Sequence, residues 1–154
     1  MQSTLRFICY FLATSLLIAC LFIITTGLLL RGSLPQYDGE TVLSGLSSSV
    51  SIDRDTLGSV TFTGQDRLDL AMAMGYVHAQ ERFFEMDLMR RQAAGELAKL
   101  LGSGLITHDR KARQFRMRSR ASAVLQQLPA EQLQLLDAYR IGVNQGMQAQ
   151  PQHD

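Results

Sequence analysis

Apolar and polar positions along this chain fall into three regimes. From Phe7 to Leu30 the sequence is mostly apolar, 24 residues with no charge, and Arg6 and Arg31 flank it. At ~1.5 Å per residue such a run crosses a hydrocarbon core of roughly 30 Å as a helix. Turn-forming residues then dominate from Gly32 to Gly39 and predict a linker. Thr41-Val42-Leu43 is expected as a short strand, and Gly45 to Ser49 as a small-residue turn region. Val50 and Ile52 alternate with Ser51 and Asp53, and Val60 and Phe62 with Ser59, Thr61 and Thr63. That period of two, on either side of the turn signal Asp55-Thr56-Leu57-Gly58, predicts a β-hairpin with one buried face.

Beyond the hairpin the period lengthens. Leu68, Met72, Tyr76, Ala79, Phe83, Met86, Ala93, Leu97 and Leu101 recur at steps of three and four, an apolar stripe on one or two helices. Asp66 is the expected N-cap, with Asp69 in the first turn, and Gly102 the expected C-terminal cap. Gly75 and Gly95 lie inside the pattern, where each costs about 1 kcal/mol relative to Ala. Close packing against another element would explain them. Asp87 and Arg91 are spaced for a helical ion pair. A second helix is predicted from about Arg110 to Leu128, with Met117, Ala121, Val124, Leu125 and Leu128 on its apolar face. Pro129 opens a third, carried by Leu133, Leu136, Ala138, Tyr139 and Val143. Gln145 to Asp154 is polar and is expected as a frayed end. The fold class is therefore α/β of the α+β kind: an N-terminal membrane helix, a short β-hairpin and a mostly helical segment.

Composition changes the picture in two ways. The formal net charge is +1, which gives no drive toward nucleic acid. Both cysteines, Cys9 and Cys20, lie in the apolar run, so the remainder has neither a disulfide framework nor a cysteine metal site. Three readings of the N-terminal run are open. An uncleaved signal anchor ranks first. A cleaved secretory signal ranks second, because the run exceeds a usual apolar core of ~7–15 residues and no A-x-A site ends it. A lipoprotein signal at Leu17-Ile18-Ala19-Cys20 ranks third, because Leu21 to Leu30 stays apolar. All three imply export, and the first places the chain in the inner membrane with its C-terminal part in the periplasm or outside the cell.

Candidate chemistry is sparse. Arg110, Lys111, Arg113, Arg116, Arg118 and Arg120 form the strongest charge cluster, suited to phosphate or anionic lipid. On a helix they point several ways, which favours a solvated or internally paired surface. A membrane-anchored interaction module binding anionic partners through Arg110–Arg120 is the alternative function. His78, His108 and His153 lack ligand spacing such as H-E-x-x-H. His78 is expected as a hydrogen-bonded packing residue, and the other two as solvent-facing. Glu81 and Glu85 share a helix face and could hold a metal, though balance by Arg82, Arg90 and Arg91 is the expectation. No G-x-S-x-G elbow or phosphate loop is present. The residues alone indicate no catalytic, cofactor or metal site in this chain.

Four stretches, taken in order, carry a resemblance. They are Leu34-Pro35-Gln36-Tyr37-Asp38-Gly39-Glu40; Val50-Ser51-Ile52-Asp53-Arg54-Asp55-Thr56-Leu57-Gly58; Gly75-Tyr76-Val77-His78-Ala79-Gln80-Glu81-Arg82-Phe83-Phe84-Glu85-Met86-Asp87-Leu88-Met89-Arg90-Arg91 running on to Ala94-Gly95-Glu96-Leu97; and Leu136-Asp137-Ala138-Tyr139-Arg140-Ile141-Gly142-Val143-Asn144. Together they resemble the start of the penicillin amidase (penicillin acylase) family, with the third stretch the most specific. On that basis residues 1–31 are a signal anchor, 32–48 a linker, 49–147 an incomplete N-terminal part of a penicillin amidase-like domain and 148–154 a polar tail.

The resemblance implies a four-layer αββα N-terminal-nucleophile hydrolase, made as a precursor that cuts itself into a small α chain and a large β chain. It implies that the β chain's new N-terminal Ser attacks an amide carbonyl with its own α-amine as base, and that an oxyanion hole stabilises the intermediate. Implied substrates are side-chain amides of β-lactams, acyl-homoserine lactones or related N-acyl compounds. The implied partner is the β-chain portion of the same precursor, and the implied cofactor a structural calcium whose ligands lie outside this chain. The family's nucleophile sits in Ser-Asn-x-Trp, whereas this sequence has no Trp and no Ser-Asn pair. Its one Asn, Asn144, belongs to the Gly-Val-Asn motif. Gly58-Ser59-Val60-Thr61 also departs from the family's usual Gly-Val-Pro. The expectation is a segment that is inactive alone.

Overall fold

The computed structural model describes residues 2–31 and 37–149, and divides the chain into two compact units. In the first, α1 (Gln2–Arg31) is a single helix. Its segment Leu12–Leu29 is long and apolar enough to cross a membrane, by length and composition. Leu16, Phe22, Ile23 and Leu28 are all exposed, so this helix is apolar around its circumference. Two of its hydroxyls bond back to the helix: Thr14 Oγ1 donates to Tyr10 O at 3.0 Å and Thr25 Oγ1 to Leu21 O at 2.7 Å. This back-bonding removes polar groups that an apolar surrounding would penalise.

The second unit spans Glu40–Gln150. It contains the antiparallel hairpin β1 (Ser51–Arg54) and β2 (Val60–Thr63), paired Ser51↔Thr63 through Arg54↔Val60. Asp55 organises the turn, its Oδ1 accepting from Leu57 N at 2.9 Å and Ser59 N at 2.7 Å, while Gly58 takes φ 82°. The departure at Ser59 thus leaves the turn intact. The hairpin's inner face is only half covered, however: Val60 and Phe62 are half-buried and Ile52 is 38% exposed. The strand expected at Thr41–Leu43 does not form. Val42 is almost fully exposed, and the segment has no ladder partner among the described residues.

Helix α2 (Arg67–Ala94) starts where the sequence puts it, with Leu68 N donating to Asp66 Oδ1 at 2.7 Å. It bends at Arg82 (φ −143°, ψ 24°) and ends at Gly95, whose φ of 67° makes it a left-handed C-cap. Gly95 N donates to Gln92 O and Glu96 N to Arg91 O, the paired bonds of a Schellman ending. This corrects the expectation that Gly95 lies within a helix. The four-residue step from Ala93 to Leu97 imitates helical continuity across a chain reversal. The short α3 (Ala98–Leu101) follows and ends at Gly102, as expected, then a 3-10 turn (Ser103–Leu105) leads into α4.

The helix expected over Arg110–Leu128 is two helices, α4 (Ile106–Gln114) and α5 (Met117–Leu125). They are separated at Arg116, which has φ 51°, a left-handed conformation costing a non-glycine residue about 1 kcal/mol. The cause lies at the end of α2. Arg113 Nε donates to Gly95 O at 2.9 Å, and Arg118 makes two bonds of 3.0 Å to the Glu96 carboxylate. On an unbroken helix, residues five apart point ~140° away from each other. The break lets both arginines turn toward the same pair of residues.

Helix α6 (Ala130–Gln148) follows Pro129 and packs along α2. It continues through Gln145, expected as a frayed end, because Gly146 is buried against Tyr76 and Ala79. The core is this seam. Met72, Ala73, Tyr76, Val77 and Ala79 of α2 and Ala138 of α6 are its buried apolar side chains. A Cβ on Gly75 would collide with Tyr139 O, and one on Gly142 with Met72 O. The seam is thus backbone against backbone at three glycines, which answers the question Gly75 posed in the sequence.

Candidate functional site

The polar groups of the second unit gather at four places around the seam. On the hairpin side, Arg54 pairs with Glu81 at 2.5 Å, both mostly covered. One turn earlier on α2, His78 Nδ1 and the Tyr139 hydroxyl of α6 share a hydrogen bond of 2.9 Å, with the rings edge to face. Burial, followed by the nearby Arg82 cation, holds the His78 imidazole below its ordinary value, and burial raises the Tyr139 phenol. Both stay neutral near pH 7, so this pair is a packing contact with a polar tie. Gln80 Nε2 also donates to Tyr76 Oη at 3.1 Å.

The third place is a clasp. Asp69, 2% exposed, accepts from Ser47 N and Oγ at 2.9 and 2.7 Å and from Ser48 N and Oγ at 2.9 and 3.0 Å. The Ser47 hydroxyl, then the Ser47 amide, then the Ser48 groups, hold its carboxyl down at about 2 against the resistance of burial. Ser44 is tied in turn to Gln145 of α6, by Ser44 N donating to Oε1 at 2.8 Å and Nε2 donating to Ser44 O at 2.9 Å. Residues 44–48 therefore strap across both long helices.

The fourth is the end of α2. Asp109, 3% exposed, accepts from Leu97 N at 3.0 Å and Ala98 N at 2.8 Å, supplying the cap that Leu97 itself cannot give α3. Glu96 lies below its ordinary carboxylate value, chiefly through its bonds to Arg118. Asp87 is lowered the same way by Arg91 and then Arg90. The expected Asp87–Arg91 pair forms at 2.6 Å.

The other candidate residues scatter. Glu81 goes to Arg54, and Glu85 is exposed. His108 is half-buried rather than solvent-facing, and its Nδ1 is buried with no hydrogen-bond partner among the described residues. His153 lies outside the described residues. Of the Arg110–Arg120 cluster, Arg113 and Arg118 are used internally, while Arg110, Lys111, Arg116 and Arg120 are exposed. No three His, Cys, Asp or Glu side chains converge among the described residues. Two open grooves of about 510 Å³ flank the helices. One lies under the strap between Gly45, Met72 and Ile141. The other is lined by Gln92, Ala93, His108, Lys111, Ala112, Phe115 and Met117. Neither holds a nucleophile beside a base.

The profile of one family, described as penicillin amidase, matches residues 49–154. The chain belongs to the penicillin amidase family. The chain is 36% identical over 115 residues to penicillin acylase 2 proenzyme of Pseudomonas sp. (strain SE83), covering 75% of this chain and 15% of that protein. It is 33% identical over 112 residues to acyl-homoserine lactone acylase QuiP of Pseudomonas aeruginosa, covering 73% and 13%. It is 30% identical over 121 residues to penicillin G acylase of Escherichia coli, covering 79% and 14%. A solved thermostable penicillin G acylase from Alcaligenes faecalis superposes with a TM-score of 0.57 at 28% identity, over 63% of this chain and 52% of that one. The chain thus spans about one seventh of the length of these curated relatives.

Against this geometry the penicillin amidase motifs acquire physical meaning. Gly75 and Gly142 make the helix contact, His78 and Tyr139 tie it, and Arg54 and Glu81 fix the hairpin to α2. Gly95 and Glu96 receive Arg113 and Arg118. The motifs that identify the family here are structural locks. Reading from sequence missed Asp69 and Asp109 as buried acceptors. Asp69 resembled an ordinary first-turn acid, and Asp109 sits among basic residues that suggested solvent.

Proposed function

We propose that this chain is the front part of a penicillin acylase-type amidohydrolase that cleaves linear C–N amide bonds, in β-lactam side chains or N-acyl-homoserine lactones. Its role is scaffolding: the α2–α6 seam, the hairpin and the strap form a platform on which the nucleophile-bearing β chain completes an αββα sandwich. The observation that carries this reading is the coincidence of the family motifs with the tertiary locks of the seam. These 154 residues hold no Ser-Asn-x-Trp and have no hydrolytic activity by themselves. Any structural calcium is held by residues of the β-chain portion. Helix α1 anchors the chain in the inner membrane and leaves the second unit in the periplasm or outside the cell.

A chimera tests the proposal. In the Pseudomonas sp. (strain SE83) proenzyme, the matched 115 residues are exchanged for the corresponding residues of this chain. Self-cleavage into two chains, with amine release from penicillin G or an N-acyl-homoserine lactone, is the expected result. A chimera that folds but neither self-cleaves nor hydrolyses either substrate removes the reading. Protease protection of a C-terminal tag in spheroplasts tests the anchor, which requires the tag to be digested from outside.

A further inference from the structure

Helix α2 is shared by two bodies. Before Arg82 it belongs to the seam: every buried residue of α2, from Asp69 to Ala79, lies on this stretch. Beyond Arg82 it has no buried residue and carries the edge instead. The edge is fastened to itself. Asp109 of α4 accepts from Leu97 N and Ala98 N, Arg113 Nε donates to Gly95 O, and Arg118 holds the Glu96 carboxylate. A Cβ on Gly95 would meet Asp109 O and the Arg113 side chain, so α4 sits directly against the end of α2. Helices α4 and α5 lie against α2 and make no extended contact with α6.

The chain passes between seam and edge twice, and both passages are non-helical. The first is Arg82, with φ −143° and ψ 24° inside an otherwise helical run. Between Gly75 and Gly95 there is no proline, glycine or serine, the residues that ordinarily bend a helix. The second passage is the turn at residues 126–129 that joins α5 to α6, where Pro129 takes an extended ψ of 148°. We propose that Arg82 and this turn form a hinge, about which the edge (residues 83–125) changes its angle to the seam while each keeps its internal packing. In a hinge a few residues absorb the change in φ and ψ, and the parts on either side move as bodies. The regular helix is already interrupted at Arg82, so re-angling there costs less than bending an intact turn. The His78–Tyr139 hydrogen bond and the Arg54–Glu81 ion pair clamp the turn of α2 just before the hinge and keep the motion out of the seam. Beyond it, Asp87 pairs with Arg90 and Arg91, and Glu96 with Arg118, all within the edge. The exposed Phe115 and Met117 then have no fixed position relative to the glycine contacts of the seam.

The test uses the full chain in detergent, with Cys9→Ser and Cys20→Ser so that spin labels sit on introduced cysteines alone. Leu101→Cys with Leu133→Cys spans the hinge. Leu101→Cys with Val124→Cys stays within the edge, and Met74→Cys with Met147→Cys within the seam, and all of these positions are exposed. The expected result is a distance distribution across the hinge roughly twice as wide as either internal one. A spanning distribution as narrow as the internal ones overturns the hinge. A wide distribution within the edge also overturns it, because the edge would then be a loose segment and not a body. Amide exchange on the unsubstituted chain is the second measurement. Phe83 to Met86 should exchange faster than Val77 on one side and Arg91 on the other, as local opening at a hinge requires. Unbroken protection from Val77 to Arg91 overturns the proposal.

Discussion

The seam between α2 and α6 and the edge where α4 meets α5 use similar ingredients but end in opposite states. At the seam, glycines bring two backbones into contact, and every polar group described there finds a partner inside the unit. At the edge, arginines tie the chain to the end of α2, and the apolar side chains between them are left facing outward. The difference lies in what each region satisfies. The seam holds the buried apolar side chains of the second unit, whereas the edge is internally tied but leaves Phe115 and Met117 exposed.

Replacing a seam glycine should break that contrast hardest. Gly142→Leu drives a side chain into the Met72 carbonyl, where backbone cannot yield. A loss of about 3 kcal/mol or more is expected, visible as a lowered urea midpoint in the full chain in detergent. Gly104→Ala is the control: nothing lies within 4 Å of its Cβ, and its effect should stay within about 0.5 kcal/mol. Equal effects of the two substitutions would mean that the helices are not packed at glycine distance.

Asp109→Ala should come next. It leaves Leu97 N and Ala98 N without their acceptor and frees α4 from α3, for about 2–3 kcal/mol. Amide exchange at Leu97 and Ala98 should rise, while exchange in the middle of α2 stays unchanged. Uniform acceleration across the unit would show that edge and seam unfold as one body, contrary to the comparison.

How far the sequence reveals these regions follows the same division. Features that act within a few residues were legible. The Asp66 cap, the Asp55 turn, the Gly102 ending and the Asp87–Arg91 pair are all set by neighbours at most four positions away. Features that depend on distant partners were not. The Ser47–Asp69 clasp spans 22 positions and the Ser44–Gln145 tie 101, so neither leaves a local pattern. The breaks at Gly95 and Arg116 were hidden for different reasons. At Gly95 the apolar period happens to continue across a reversal. At Arg116 the left-handed residue is an arginine, forced by tertiary bonds, with no glycine or proline to announce it. The family, in contrast, emerged from ordered motifs, which the structure shows to be locks of the seam.

Acid should sharpen the comparison from the other side. Asp69 titrates at about 2 when clasped, against an ordinary 3.8, so its carboxylate supports the strap at higher pH. The sign is that of a depressed acid: the contribution is complete above about 3.8 and is lost as pH falls toward about 2. His78 also has a depressed value, so its contribution begins to fade below its ordinary 6.5. Exchange at the Ser47 and Ser48 amides should therefore rise between pH 3.8 and 2 beyond the global trend, and Asp69→Asn should abolish that step. A step that survives the substitution would locate the acid-sensitive group elsewhere.

The smallest effect on stability should come from the edge itself. Phe115→Ser with Met117→Ser removes two side chains that already face solvent, so the fold should change by no more than about 0.5 kcal/mol. Its consequence should appear in association instead. The doubly substituted chain should stay dispersed at concentrations where the parent chain aggregates, because the apolar wall of the groove is gone. Light scattering on the two proteins in the same detergent, alongside their urea midpoints, separates the two quantities. A large drop in midpoint would mean that Phe115 and Met117 already serve the fold, and that the edge is as finished as the seam.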